Sequence, residues 1–382
     1  MRRIYDPAYR LKRRNFLTLS KYRFRKWIIY WKNAKDIAGG ISRDVFFRNG
    51  LATQLDVKAV RLGENEHGPA NLPRRWCLFA AYSPKSTVTD MMITQLRTYR
   101  DAGFSVVFIT MSRTISEADK EKLKQVCTYV IHRKSFGRDF GAWAHAAHLL
   151  RNEIEAADVL LLANDSNLGP IFPLPPWIEA CLEREGIFGM TESLGGGSHL
   201  QSYFLVGNGS EAVRAMLDFL LTMRLSHSKW LMIQRGEIGF TRAMQKRGLF
   251  VGALISYEDL ENALLEQKDL QAELEVLFPG IFLRQDVFDF SKINPENLSL
   301  ESQRIKWRNR YLLRFNLFFL PLNPSHQLNS VLLRHFKFPF IKAELITKNP
   351  GMVPSAPDWR YFITPESPVT EAMIEDHLAT LI

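Results

Sequence analysis

The chain predicts an α/β protein with a mostly parallel sheet flanked by helices, and three observations carry that reading. Short apolar runs, CLFAAY (77–82), SVVFIT (105–110), TYVIH (128–132) and VLLLA (159–163), end 22–31 residues apart, the length of a β-α unit. The stretches between them carry helix signals. Each run stops at polar turn residues, as buried strands of an open α/β sheet do.

In order, CLFAAY is the first strand, and Thr87–Arg100 is an amphipathic helix closed by Gly103. SVVFIT follows as a strand. Ser116 then opens a helix with Glu117 and Asp119 in its first turn, the signature of an N-terminus. TYVIH, a helix over Trp143–Ala156 and VLLLA complete a run of parallel strands joined by crossovers. IFGMT (187–191) and YFLV (203–206) add strands around a Gly195-Gly196-Gly197 loop, and Ser210–Leu225 reads as a helix with its own N-cap. Asp259–Leu277 is acidic and helical, and the aromatic, proline-punctuated tail from Arg304 reads as short helices rather than a second sheet. Three units are expected: a basic aromatic arm (1–40), an α/β domain (75–258) and a helical or irregular C-terminal extension (259–382). The Gly39-Gly40 pair and the polar stretch Gly63–Pro73 form the link after the arm.

Hydrophobic residues make up 46% of the 382-residue chain and charged residues 24%, which excludes wholesale disorder. The net charge of +10 is local. Residues 1–35 hold twelve Lys/Arg against Asp6, whereas the other 347 residues hold 38 basic and 39 acidic side chains. Tyr5, Tyr9, Phe16, Tyr22, Phe24, Trp27, Tyr30 and Trp31 lie among those cations. Such a mixture suits a helix on an anionic bilayer surface; it also suits single-stranded RNA, or a helix docked on its own domain. The neutral body argues against nucleic acid, whose grooves spread cations over a fold. No apolar run approaches the ~20 residues that span a bilayer, and the start lacks the apolar core of a signal peptide. Cys77, Cys127 and Cys181 have no metal-like spacing. The expected location is therefore cytoplasmic, peripheral at the inner face of the cell membrane through residues 1–35.

Ligands of open α/β sheets bind at the carboxyl ends of strands, and polar clusters follow several strands here. Asn164-Asp165-Ser166 ends VLLLA. Its one carboxylate, flanked by an amide and a hydroxyl, can hold a metal, a sugar hydroxyl or a diphosphate-linked ligand, or simply form an Asx turn. Tyr82 offers a stacking face for a base beside Ser83, although a Ser-Pro turn explains the same residues. In FGRDFGAW (136–143), Gly137 and Gly141 bracket Arg138 and Asp139 at a helix start that favours anions. Arg138 can neutralise a diphosphate, or pair with Asp139. Glu192, His199 and Gln201, around the triple-glycine loop, are the side chains that sugars are recognised by; His199 fits a buried core histidine equally well. Glu237, ahead of a helix ending at Gly248, is placed as a general base toward an acceptor hydroxyl, or as a helix-capping carboxylate.

Taken together, GRD, NDS.LGP, HLQSYF, NPSH (323–326), PFIKAEL (339–345) and NP (349–350) resemble the rhamnan synthesis protein F family of bacterial polysaccharide glycosyltransferases, over roughly residues 75–355. The resemblance implies a GT-A-like (Rossmann-like) fold, a nucleotide-sugar donor and a lipid-linked or other cell-surface glycan acceptor such as an O-antigen chain, with rhamnose suggested by the family's name. It maps the sugar-transfer strand end onto Asn164, Asp165 and Ser166, and Glu237 onto the base of inverting enzymes. Enzymes of this fold more often carry Asp-x-Asp there with Mg²⁺ or Mn²⁺ on the donor diphosphate; here Asp165 is the single metal candidate. In the expected single displacement, Tyr82, Ser83, Gly137, Arg138 and Asp139 bind the donor with residues 164–166, Glu192, His199 and Gln201 orient the acceptor, and Glu237 takes its proton. A non-catalytic glycan-assembly subunit is the alternative, and an RNA binder a third reading.

Overall fold

The computed structural model describes residues 2–3, 16–46, 59–62, 74–266, 323–349 and 356–381. Its main sheet has ten strands. In chain order they are β1 (Arg2–Arg3), β2 (Ala59–Arg61), β3 (Arg75–Ala81), β4 (Phe104–Thr110), β5 (Tyr129–His132), β6 (Val159–Asn164), β8 (Gly186–Ser193), β9 (His199–Leu200), β10 (Phe204–Asn208) and β11 (Val251–Ile255), with β7 (Asn167–Leu168) outside it. The spatial order is β1-β11-β8-β10-β6-β3-β4-β5-β2, and β9 pairs with β8 off that path. This is the mostly parallel α/β sheet flanked by helices that the sequence predicts.

The apolar runs are continuous because both faces of the sheet are covered. Along β3, Cys77, Phe79 and Ala81 enter one core while Trp76, Leu78 and Ala80 enter the other, the two-residue alternation of a strand. β6 divides likewise, Leu161 and Ala163 against Leu160 and Leu162. All three cysteines are buried and free.

β3, β4, β5 and β6 are mutually parallel, but β10 runs antiparallel between β6 and β8. The connection explains the reversal. Only residues 194–203 separate β8 from β10, too few for a crossover, so the chain returns as a hairpin through β9.

The helices depart from expectation in ways that matter for the site. The helix expected at Trp143 starts five residues earlier, spanning Arg138–Leu149 and continuing as Arg151–Glu155, because Gly137 and Arg138 turn the chain with φ of 73° and 53°. Ser116 caps its helix as expected, accepting the Asp119 N–H at 3.0 Å. Ser210 instead lies inside its helix, Ser210–Thr222, behind an N-cap Gly209 that has no side chain to bond with. The acidic helix spans Tyr257–Glu266, and the rest of the expected Asp259–Leu277 segment lies outside the described residues, as do 304–322 and 63–73.

Gly39-Gly40 does not break the arm. One helix runs through it, Phe16–Phe46. A Cβ at Gly40 would lie 2.4 Å from Ser228 Cβ, so the glycine is there for close packing. On the same stripe, Asp36 accepts Ser228 Oγ at 2.5 Å and the Trp230 N–H at 2.8 Å, while Asp44 accepts Ser226 Oγ at 2.6 Å and the His227 N–H at 2.9 Å. Burial pushes both carboxyls up, but these bonds win and hold them below their ordinary values.

The tail also forms strand, contrary to expectation. β12 (Ile341–Lys342) pairs antiparallel with β7 in a small second sheet, Ile341 opposite Leu168 and Lys342 opposite Asn167. Leu168, Ile171, Leu333, Ile341, Leu345, Trp359 and Ile374 make its apolar core.

The segment carrying Glu237 is one helical stretch with a wide turn inserted: Lys229–Met232, a π-helical turn Ile233–Ile238, then Gly239–Lys246. π-turns of this kind re-aim side chains at functional sites. Gly236 lets this turn approach the Arg138 helix, since a Cβ there would lie 2.6 Å from the buried Phe140 ring. Gly236→Ala should therefore lower stability by about 1–3 kcal/mol, the usual cost of overpacking, as read by denaturant unfolding.

Candidate active site at the carboxyl edge of the sheet

β3 and β6 lie side by side in parallel, so Tyr82 and Asp165 emerge together. The Tyr82 N–H donates to Asp165 Oδ2 at 2.7 Å. The Tyr82 ring is exposed, whereas Ser83 is buried in the turn, its N–H on Ser112 Oγ and its own Oγ accepting the Thr87 N–H. Ser83, Ser86, Thr87, Thr110, Ser112 and Thr114 put hydroxyls around a narrow, otherwise apolar crevice behind the turn that carries Tyr82. Sequence reasoning missed the four of these that follow β4 or trail the Ser-Pro turn.

Asn164 ties three segments together. Its Nδ2 donates to Asp139 Oδ2 at 2.8 Å, and its Oδ1 accepts the Ser166 N–H at 3.1 Å and Ser166 Oγ–H at 2.6 Å. Lys342 Nζ then donates to Ser166 Oγ at 2.8 Å. Arg138 is exposed beside this chain, and Gly137, at the N-cap, has no side chain to contribute.

Glu237 does not open a helix as expected but sits in the π-turn. Its Oε1 accepts Ser202 Oγ–H at 2.8 Å and its Oε2 lies 3.3 Å from His199 Nε2. His199 Nδ1 faces the Gly197 carbonyl at 2.7 Å, which can only accept, so Nδ1 carries a proton. Burial pushes Glu237 up, but His199, Ser202 and Lys342 hold it below its ordinary value.

The other two acceptor candidates lie elsewhere. Glu192 is fully buried and accepts the Tyr257 N–H at 2.7 Å, anchoring the first turn of the Tyr257–Glu266 helix. Gln201 is also buried. It accepts Thr191 Oγ–H at 2.6 Å and donates to Asn323 Oδ1 at 2.9 Å, which fastens the NPSH segment to the sheet. Both shape the site rather than face it.

Lys342 was not singled out from the sequence, although it stands in the quoted PFIKAEL segment. Tertiary pairing of β12 with β7 brings it in. Burial holds its ammonium below the ordinary lysine value, while Glu237 and Asp139 pull the other way.

A divalent cation at Asp165 fits these residues poorly. One carboxylate oxygen accepts a backbone N–H, and burial, aided by Asp139, pushes the group up to about 7, so near neutrality it is substantially protonated. Asp139 is likewise raised by burial and engaged by Asn164. Among the described residues no group of three His, Cys, Asp or Glu side chains is placed to hold a metal ion.

The fold is that of an α/β protein with a polar cluster at one edge of its sheet. The chain belongs to the rhamnan synthesis protein F family, whose sequence profile matches residues 106–288. It is 31% identical over 277 residues to the virulence protein VirA of Vibrio anguillarum, covering 68% of this chain and 75% of that one. It is 26% identical over 215 residues to the uncharacterized protein y4gN of Sinorhizobium fredii, covering 54% of this chain and 56% of that protein, little more than half its length. Among solved structures, the apo bifunctional glycosyltransferase WbbM overlaps 49% of this chain and 40% of its own at 9% identity, with a TM-score of 0.27. Among the described residues no helix is long and apolar enough to cross a membrane.

The raised Asp165 value has a stability consequence. The folded state holds this proton more tightly than the unfolded chain, so stability falls as pH rises from about 4 to about 7. Asn can still accept the Tyr82 N–H but cannot ionise. The stability of Asp165→Asn relative to wild type should grow by about 2 kcal/mol between pH 4 and 8 in urea unfolding, half the full linkage because the group is only partly buried. A difference that does not change with pH would place the ionised form in the folded protein.

Proposed function

We propose that this protein is a glycosyltransferase that moves a sugar from a nucleotide-sugar donor onto a growing cell-surface or lipid-linked glycan, by single displacement with inversion. The observation that supports this most is the meeting, at one carboxyl edge, of the Tyr82–Asp165 pair, the Asp139–Asn164–Ser166–Lys342 chain and the Glu237–His199–Ser202 cluster. The first two groups suit a donor. Tyr82 offers an exposed ring to a base, and a protonated Asp165 can donate to a sugar hydroxyl. Rhamnose as the transferred sugar rests on the family's name alone.

The third group suits the acceptor. The acceptor O–H gives its proton to the Glu237 carboxylate as the oxygen bonds to the donor's anomeric carbon. The bond from that carbon to phosphate oxygen breaks, and the nucleoside diphosphate leaves with the electron pair. Ser202 and His199 fix the carboxylate's orientation, and their bonds keep it ionised at neutral pH. Positioning and charge stabilisation supply most of the rate. Mg²⁺ or Mn²⁺ has no step in this reading, given how Asp165 is engaged.

The test begins with a thermal-shift panel of nucleotide sugars. One donor should stabilise wild type and Glu237→Gln alike, while transfer to a glycan acceptor falls about 10²–10⁴-fold in the variant. Equal turnover in both would remove Glu237 as the base. A glycan-assembly subunit without catalysis is the second reading, favoured by the engaged state of Asp165. It expects glycan or partner binding with no donor effect.

The arm supports a membrane-facing role. Its docked stripe is Asp36, Gly40 and Asp44, whereas Trp27, Tyr30 and Trp31 stay 61%, 60% and 51% exposed on the other side. Lys35 Nζ lies 3.6 Å over the Trp31 ring. Aromatic rings beside cations favour an anionic interface, where a lipid-linked acceptor is found. In vesicle sedimentation the full chain should bind only when anionic lipid is present. Binding should weaken with salt and fall about tenfold in the Trp27→Ala, Trp31→Ala double variant. Equal binding to neutral vesicles, or none to either, removes this role.

A further inference from the structure

A donor diphosphate would bring about two negative charges to a site that already holds the ionised Glu237 carboxylate beside Asp139 and Asp165. Something must offset them, and the carboxylates are poorly arranged to recruit a metal. The cation the fold delivers is Lys342. It arrives from a separate part of the chain, through the pairing of β12 with β7 and the Ala343 N–H on Ser166 O at 3.0 Å. Its backbone is thus held at the end of the Asn164-Asp165-Ser166 turn.

The side chain is held but not saturated. An ammonium has three N–H donors. Among the described residues Lys342 donates to Ser166 Oγ alone, with its Nζ 5.4 Å from the centre of the Tyr203 ring. Two donors are left for a ligand. Glu237 and Asp139 are near enough to act on its charge, yet neither forms an ion pair with it. An ammonium partly stripped of water, fixed at one hydrogen bond and facing the donor edge, is a phosphate-binding group.

We propose that the Lys342 ammonium holds the diphosphate of the nucleotide donor and later the leaving nucleoside diphosphate, in the electrostatic place that a divalent cation takes between paired carboxylates. This rests on the donor-site reading above. It assigns a contact with substrate to a residue outside the 106–288 family match. Arg138, exposed at the mouth, would add a second and looser positive charge.

The experiment is calorimetric titration of the full-length protein with UDP, GDP and dTDP and with the matching nucleosides, in EDTA and in Mn²⁺. Wild type should bind one nucleoside diphosphate in EDTA within about threefold of its affinity in Mn²⁺. Lys342→Met should lose that affinity at least 30-fold, in both conditions, while binding the nucleoside as wild type does. Lys342→Arg should recover most of the loss. A purely structural Lys342 would weaken nucleoside and nucleoside diphosphate together. The inference alone is overturned if wild type binds a nucleoside diphosphate only with Mn²⁺, a result that needs no variant to fold, or if Lys342→Met binds normally. If wild type binds none of the three in either condition, the donor-site reading falls and this inference with it.

Discussion

The side-chain amide of Asn164 is the constraint on which the rest of the site depends. An amide both donates and accepts, and here each half serves a different segment: the NH₂ holds Asp139 at the start of one helix, and the carbonyl holds Ser166 in the turn after β6. Ser166 in turn holds Lys342, 176 positions further along the chain. A carboxylate at position 164 could accept from Ser166 but could not donate to Asp139, and it would set a third carboxyl group beside Asp139 and Asp165. The missing second aspartate of an Asp-x-Asp pattern therefore has a positive explanation. Asn is the residue type that links a carboxylate on one side to a hydroxyl, and through it an ammonium, on the other.

Glu237 and Asp165 are both carboxylates in a semi-enclosed site, yet their environments push them apart. Asp165 meets backbone N–H groups and a neighbouring acid, and burial prevails, raising it. Glu237 meets an imidazole, a hydroxyl and a nearby ammonium, which together outweigh burial and lower it. Such divergence lets one site hold a proton donor and a proton acceptor at the same pH. It also divides the work: the neutral acid suits sugar hydroxyls of the donor, and the ionised one suits removal of a proton from an acceptor.

How much of this was legible in the sequence follows from range. β3 to β6 and the clusters that end them were legible because apolar run, turn and spacing are local signals, and a parallel sheet puts successive strand ends on one edge. That Tyr82, Asp139, Asn164, Asp165 and Ser166 lie together at this edge was legible that way. The burial of Glu192 and Gln201 was not legible, because polarity near a glycine loop does not say which side chains face inward; both make tertiary hydrogen bonds, to Tyr257 and Asn323. Glu237 was placed near the site but at the wrong kind of position, since a π-turn has no simple sequence period. Lys342 depends on a two-residue strand pairing, too short for any pattern to announce, and Gly40 read as a break because only a tertiary contact with Ser228 reveals its use.

The arm and Glu237 are linked through one helical segment. Asp36 caps the first turn of Lys229–Met232 through Ser228 and Trp230, and that helix runs without interruption into the π-turn bearing Glu237. A π-turn inserts one extra residue into a helix, and here it is flanked on one side by the Gly236–Phe140 approach and, upstream, by the docked arm helix. The same helix carries the exposed Trp27, Tyr30 and Trp31. The arm is thus fixed, through two carboxylates and a glycine contact, to the segment that leads into the π-turn. A basic aromatic arm joined to the domain by a loose tether would lack this property, whereas a continuous helix from Phe16 to Phe46 has it built in.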